Sequence, residues 1–502
     1  MLTALTCYRP PIFPMLLAIS LSAMLSGCSG GGGGGGGSST PSGTTPTSSA
    51  TTTAVVSTGP ITGFGSVVLN GIEFDTTQAE IKVEDQIVRE DALRIGMRVT
   101  IEGVRDSNGV RATRVVFRKN VEGLIDRIDV VNNTLVVLGQ TVFVDGLTVI
   151  EDRAQSSSIA LSALAVGQFV EVSGLIDANG TILATRIERQ TGFVASVTEV
   201  EVRSTLSGLD TNAHTFVLGA LTVHFRTATV VGSLSNGVFV QVRGTQTASG
   251  SSMTATRVTV EDPTVGGATG TTMEIEGFVT AFTSATVLRV NGQAVTTTAQ
   301  TVFDNGTVTD LAENTRLEVE GQVDTTGTLV AEKISFRRRN GGNVRLEADV
   351  EAVTTTTVTL LGLVVRVDPL TQFKDDMGGE RHFRFDRIRG GDRLEIRGMV
   401  DAQGTIVATR LRRRPPKTEV VLQAPVESIT PPNLGIRGVA IQTNAATVFE
   451  DFSPNHPPAT QFFAILRSGT LVKVKGIFVR GTPVAIQATQ VELADPDRDD
   501  DL

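Results

Sequence analysis

The stretch KDDMGGERH, Lys374 to His382, is the densest run of metal-competent side chains in the sequence. Asp375, Asp376 and Glu380 offer carboxylate oxygens and His382 an imidazole nitrogen, a donor set that suits a divalent cation. A solvated loop between strands accounts for the same residues, and no second motif supports a metal. The other histidines, His214, His224 and His456, do not recur at equivalent places. No HExxH, GxSxG, phosphate-binding Gly-rich loop or CxxC pattern occurs in residues 59–502. The expectation is a protein that is not an enzyme and holds no cofactor, with Asp375, Asp376, Glu380 and His382 as the candidate metal cluster.

Charge and composition bear on partners. The formal charge is −9 and the chain has no Trp; its single Tyr, Tyr8, lies in the leader. Nucleic-acid binding is driven by phosphate neutralisation and by stacking on aromatic rings. Both are scarce on this count, so no nucleic-acid partner is expected. Arg337 to Arg339 and Arg410 to Arg414 are basic runs at the ends of repeats. They read as edge charge that discourages strand-to-strand aggregation. Contact with anionic lipid headgroups or polysaccharide is the alternative.

The chain opens with an apolar, uncharged segment, Met15 to Leu25. It is too short for a permanent transmembrane helix and fits a signal-peptide core. Leu25-Ser-Gly-Cys28 follows and resembles the lipobox of bacterial lipoproteins. That resemblance implies diacylation of the Cys28 thiol, cleavage before it, and anchoring by two or three acyl chains. Ser at position 29, rather than Asp, implies sorting to the outer membrane. Cys7 would leave with the leader, so the mature chain has no disulfide. Residues 29–58 are Gly, Ser, Thr, Pro and Ala with two valines and no charge. They cannot bury enough apolar surface to fold, and so read as a tether.

Six segments share one pattern: Gly, two residues, apolar, any, apolar, any, Gly. They are GMRVTIEG from Gly96, GQFVEVSG from Gly167, GVFVQVRG from Gly237, NTRLEVEG from Asn314, GDRLEIRG from Gly391 and GTLVKVKG from Gly469. Their starts lie 71, 70, 77, 77 and 78 residues apart, which marks tandem repeats. Inside each, the period of two describes a strand with one buried face. In GDRLEIRG, Leu394 and Ile396 point inward, and Arg393, Glu395 and Arg397 are expected on a solvated face.

A turn follows in four copies, with Asp and Gly three apart: DSNG from Asp106, DANG from Asp177, DTTG from Asp324 and DAQG from Asp401. Asp can accept backbone amides there, and Gly can take positive φ. The distal bidentate Glu of a calcium loop is missing. The next strand spaces its apolar residues two and then three, as in Ile406, Ala408 and Leu411. The same spacing recurs in all six copies. A switch from two to three needs one residue bulged out, which would bend the strand to close a small barrel. Thr-x-Phe/Ile recurs upstream at Thr148, Thr301, Thr371 and Thr447.

The reading is an all-β chain: about six small OB-like β-barrel repeats in tandem, behind a signal peptide and a disordered Gly/Ser/Thr tether. The expected boundaries are 1–27 for the signal peptide, 28–58 for the lipidated cysteine and tether, and 496–502 for an acidic tail. Between them lie repeats at 59–120, 121–190, 191–262, 273–339, 344–416 and 418–495. ITGFGSVVLNGIEFDT, Ile61 to Thr76, resembles the opening of a bacterial domain-of-unknown-function repeat found in lipoproteins and secreted proteins. That resemblance implies an envelope address and supplies no catalytic residues. The expected function is a non-catalytic envelope lipoprotein, a repeat scaffold or interaction surface. It would be held in the membrane through Cys28, with an envelope protein or polysaccharide as partner. The alternatives are a glycan- or ligand-binding protein and an extracytoplasmic enzyme.

Overall fold

The structure is a computed structural model that describes residues 52–494, apart from 65, 156, 247–251, 338–343, 369–370, 378–382, 402–403 and 452–455. Cys28 and the acidic tail lie outside the described residues. Among those described there are thirty-nine strands and one α-helix, Ala459–Ile465, so the chain is all-β.

The second repeat shows the unit. Its strands are Val121–Asp129, Thr134–Val137, Gln140–Asp152, Phe169–Ile176 and Ile182–Arg189. The first pairs antiparallel with the second and the fourth, and the second with the third. The third runs parallel to the fifth, and the fifth returns antiparallel to the fourth. The circuit 1-2-3-5-4-1 therefore closes, with one parallel seam, as in an OB-like barrel. The first, third and fourth repeats close the same way. In the fifth and sixth the opening strand is broken in two, Val344–Asp349 with Ala352–Val353 and Glu419–Pro425 with Ser428–Thr430. A short 3-10 or α-helical turn precedes the fourth strand in five copies: Glu90–Ala92, Leu161–Ala163, Val308–Asp310, Phe385–Arg387 and Ala459–Ile465.

The two-then-three spacing is a bulge in every copy. The register of the last two strands slips by one at Gly103, Gly174, Gly244, Gly321, Gly398 and Gly476, each facing an Ala. The extra residue is Thr113, Thr185, Thr256, Glu332, Thr409 or Thr489. All five threonine hydroxyls donate to a carbonyl across the bulge at 3.1–3.2 Å. The closing glycine is required by the same geometry. A Cβ there would sit well under 3.0 Å from a carbonyl oxygen of the opposite strand in all six copies. The upstream threonines finish the joint. Thr148, Thr301, Thr371 and Thr447 donate to the carbonyl of the Ala beside the bulge, at 2.6, 2.7, 2.8 and 2.9 Å. The four Asp-x-x-Gly turns form as expected, with glycine φ between +80° and +131° and Asp oxygens accepting backbone amides.

The barrels are joined in pairs by their opening strands. In the second and third repeats, Val121 and Glu122 pair with Val202 and Glu201. In the fifth and sixth, Arg345 to Glu347 pair with Gln423 to Val421. The first repeat skips two neighbours and pairs, in parallel, with the fourth: Val55 to Thr58 against Thr272 to Ile275. Buried side chains of the second and third repeats form one cluster, and those of the fifth and sixth another. The strand Thr53–Gly63 begins inside the segment read as tether. Two valines suffice there because the strand is paired on both edges.

The three pairs also touch one another. The Arg98 amide donates to Ser173 Oγ at 2.8 Å, Arg203 pairs with Glu84 at 2.9 Å, and Arg384 pairs with Glu73. The expected solvated face is corrected by this packing. Glu102 is exposed, but Gln241, Glu318, Arg393, Glu395, Arg397 and Lys473 are buried. Strand alternation tells inside from outside of one barrel. It does not tell whether another barrel covers the outside.

Candidate functional site

The fifth repeat carries the unusual chemistry, and strand register explains how. Three neighbouring strands, Val344–Asp349, Arg393–Val400 and Ile406–Arg413, present their outward faces together. One row across them is Arg345, Arg397 and Arg410; the next is Glu347, Glu395 and Arg412. The sheet continues into the sixth repeat, where Val421 pairs with Lys475 and Gln423 with Lys473. On the other side Lys374 lies beside Arg412. A loop of the second repeat, Ser158 to Ala160, with Thr148 to Ile150, closes over this face. The result is a cleft of about 380 Å³.

Its centre is Glu395, only 3% exposed. The carboxylate lies 3.5–3.9 Å from five guanidiniums: Arg397, Arg410, Arg414, Arg345 and Arg412. Burial pushes this carboxyl up, but Arg345, Arg397, Arg412 and Arg410 together hold it well below the usual carboxylate range. Lys473, behind the wall, is taken by Glu492 at 2.7 Å.

At the edge against the second repeat, the Lys374 ammonium donates to Ser158 Oγ at 2.6 Å and to Glu151 at 2.8 Å. Burial lowers its pKa, while Glu151 and Asp376 work against that shift. Asp376 accepts from Arg412 at 2.6 Å and from Arg414 at 3.0 Å. Burial pushes the Asp376 carboxyl up, yet Arg412, Lys374 and Arg414 hold it below its ordinary value.

The candidate metal cluster can be followed for two members. Asp375 makes a two-point pair with Arg413, at 2.9 and 2.7 Å, and Asp376 holds the two arginines just named. Arg413 also lies 4.6 Å over the Phe383 ring. Glu380 and His382 lie outside the described residues. Among the described residues no group of three or more His, Cys, Asp or Glu is placed to hold a metal ion.

The Arg410–Arg414 run, read as edge charge, is instead the wall of the cleft. Arg410 and Arg412 alternate along one strand and Arg414 directly follows its last residue, Arg413, so all three line the same face. That spacing is visible in the sequence and marks a built surface. The contributions of Arg345, Lys475 and the second-repeat loop come from tertiary packing and leave no sequence signal.

No curated protein matches the chain. Solved structures that match include the single-stranded DNA binding protein of Thermus aquaticus. It is 13% identical over 30% of this chain and 92% of that one, with a TM-score of 0.15. A second is Drosophila Unr CSD456, 14% identical over 45% of this chain and 100% of that one, TM-score 0.11. A third is a multidomain protein with nucleic acid binding domains from Streptococcus pneumoniae, 13% identical over 43% and 74%, TM-score 0.12. These scores carry no argument about a ligand. The expected exclusion of nucleic acid is corrected on its physical premise: a charge of −9 averaged over 502 residues does not describe a cleft walled by arginine. The family model described as Domain of unknown function (DUF5666) matches at 55–116, 122–188, 191–259, 276–335, 347–412 and 423–492, one match per barrel. The chain is thus a member of the DUF5666 family, built from six tandem copies.

Proposed function

We propose that this protein is a non-catalytic lipoprotein of the bacterial cell envelope, in which six barrels act as one scaffold carrying a polar contact cleft. The observation that carries the reading is the mutual burial of the barrels' charged outer faces, which leaves the fifth-repeat face as a concave polar surface. The address rests on Leu25 to Cys28 and the uncharged tether behind it.

A polar cleft is also what an enzyme would need, and Ser158 with Lys374 at 2.6 Å is the pair to weigh. A serine nucleophile needs a neutral amine to take its proton. Here Glu151 at 2.8 Å and Asp376 at 3.8 Å favour the charged ammonium. Ser158 Oγ is also within 3.2 Å of Asp376, as its donor. The arrangement suits a structural bridge between the second and fifth repeats better than an acyl-transfer site.

Cys28→Ala is expected to abolish fatty-acid labelling and free the protein from the membrane fraction. Protease digestion of either form is expected to leave one resistant core from about Thr53 to Ala494. Labelling that persists in the variant would overturn the address. Release of single barrels by protease would overturn the scaffold.

A further inference from the structure

Where the first three barrels meet, strand register lines up four carboxylates. Glu188, Glu171, Glu122 and Glu201 lie on four neighbouring strands, each opposite the next. Like charges directly opposite one another destabilise a sheet. The ends of the row are held, because Arg186 donates to Glu188 at 2.6 Å and Arg203 pairs with Glu201 at 2.6 Å. The middle two share one ammonium. Lys119 pairs with Glu122 at 2.6 Å and lies 3.8 Å from Glu171, which has no other ion pair among the described residues. Glu171 and Lys119 keep only 15% and 11% of their side-chain surface in solvent. Burial pushes the Glu171 carboxyl up and Lys119 pulls it down, while Glu122, Glu188 and Glu84 push it up further, to about 7. Lys119 also belongs to the connector between the first and second barrels, residues 118–120. Its amide donates to Glu84 of the first barrel at 2.7 Å, and its carbonyl accepts from Arg203 of the third at 2.7 Å. Arg203 in turn pairs with Glu84 at 2.9 Å. The row of carboxylates and the joint between barrels therefore use the same residues.

We propose that this joint is a proton-operated latch, which grips the first barrel while Glu171 is protonated and loosens when Glu171 ionises. Protonated, Glu171 leaves Lys119 to Glu122 and repels no neighbour. Ionised, it adds a charge beside Glu122, Glu188 and Glu84 in a site that water barely reaches, where like charges repel strongly. Glu122, Glu171 and Glu188 are fixed in one sheet. Glu84 is the anion that can yield, since it follows the strand Glu80–Val83 of the first barrel and is held here by Arg203 and the Lys119 amide. The first barrel stays paired with the fourth along Val55 to Thr58, so one joint loosens and the barrel is not released. Between the ordinary carboxylate value of 4.5 and about 7 the closed joint holds a proton that an opened joint has lost. The latch is therefore strongest below that window and weakens as pH rises through it. It needs neither the lipid anchor nor the cleft.

The test is native-state hydrogen exchange on the full chain, purified in detergent and corrected for the intrinsic pH dependence of exchange. The amides to read are those of Lys119, Asn120 and Arg203, which donate to Glu84, to the Val172 carbonyl and to the Asn120 carbonyl. Their protection should fall by about tenfold between roughly pH 6 and pH 8 and level off above that. The strand Val344–Asp349, at the joint of the fifth and sixth barrels, should not follow. Glu171→Gln has no proton to lose and should remove the dependence. Glu122→Gln takes away a repelling neighbour and leaves Lys119 to Glu171, so the fall should move to lower pH. Protection that does not change with pH in the native chain, or the same fall in Glu171→Gln, would overturn the proposal. So would an equal fall in Val344–Asp349, or an unmoved midpoint in Glu122→Gln.

Discussion

Substituting Gly321 tests whether the bulge is the joint that closes each barrel. Gly321 faces Ala331, directly beside the register slip. A Cβ built there lies 2.9 Å from the carbonyl carbon of Val330 and 3.0 Å from the Ala331 Cα, with the Val330 oxygen closer still. All three are backbone atoms of a hydrogen-bonded strand and cannot rotate away. Forcing a methyl into such a site costs about 1–3 kcal/mol. Opening the strands also strains at least one ladder hydrogen bond, worth about 1 kcal/mol. Gly321→Ala is therefore expected to cost roughly 3 kcal/mol. Gly327→Ala is the matched control. That residue sits at φ +80° with nothing within 4 Å of its Cβ, so only backbone strain of about 1–2 kcal/mol applies. Hydrogen exchange on Arg316–Val323 and Leu329–Phe336 reads the difference locally. Protection there should fall by roughly a hundredfold in Gly321→Ala and by about tenfold in Gly327→Ala. Unchanged protection in Gly321→Ala, or a larger loss at Gly327, would show that the close approach does not hold the barrel shut.

Two further outcomes follow from buried charge. Glu395→Ala removes the carboxylate that five arginines share and should cost about 3–5 kcal/mol, as for breaking a buried pair. Glu102→Ala, at the matching exposed strand of the first repeat, should stay within about 0.5 kcal/mol. Equal midpoints in urea would refute the covered-face account. Burial, with Glu318 and Glu320 beside it, pushes the Glu274 carboxyl up to about 9. Between the ordinary carboxylate value of 4.5 and 9 the folded chain holds a proton that the unfolded chain has lost. Stability should therefore fall as pH rises through that window, by up to about 1.4 kcal/mol per pH unit from this group. Glu274→Gln should flatten that part of the profile in thermal melts from pH 5 to 9. An unchanged slope would show that the carboxyl ionises in the folded protein.

The barrel was legible because its determinants are local. Gly103 and its five counterparts, the bulge spacing around Ala112 and its counterparts, and the Asp-x-x-Gly turns each sit within a dozen residues of what they control. Glu395 shows the limit. Its place in GDRLEIRG says that it points away from Ile396, and nothing in that stretch says that Arg345, Arg414 and the second-repeat loop will enclose it. Burial there depends on which opening strands pair, and edge pairing leaves no periodic trace. The arginines at 410, 412 and 414 did leave one. Averaging charge over the whole chain concealed it, because strongly acidic stretches elsewhere outweigh a compact basic face.

The pairing of the first barrel with the fourth sets a schedule for biogenesis. Val55 meets Thr272, a partner 217 residues further along the chain. The intervening barrels close and pair with each other from contacts already available. The Val55 to Thr58 edge therefore stays open until Thr272 to Ile275 have followed it along the chain. An open edge carrying Val55 and Val56 is a template for aggregation during that interval. The seam also forbids piecewise evolution. A linear array can gain or lose one unit at its end with little effect on the rest. Here, removing either intervening barrel would strip the other of its mate, so copy number can change only where a complete pair enters or leaves.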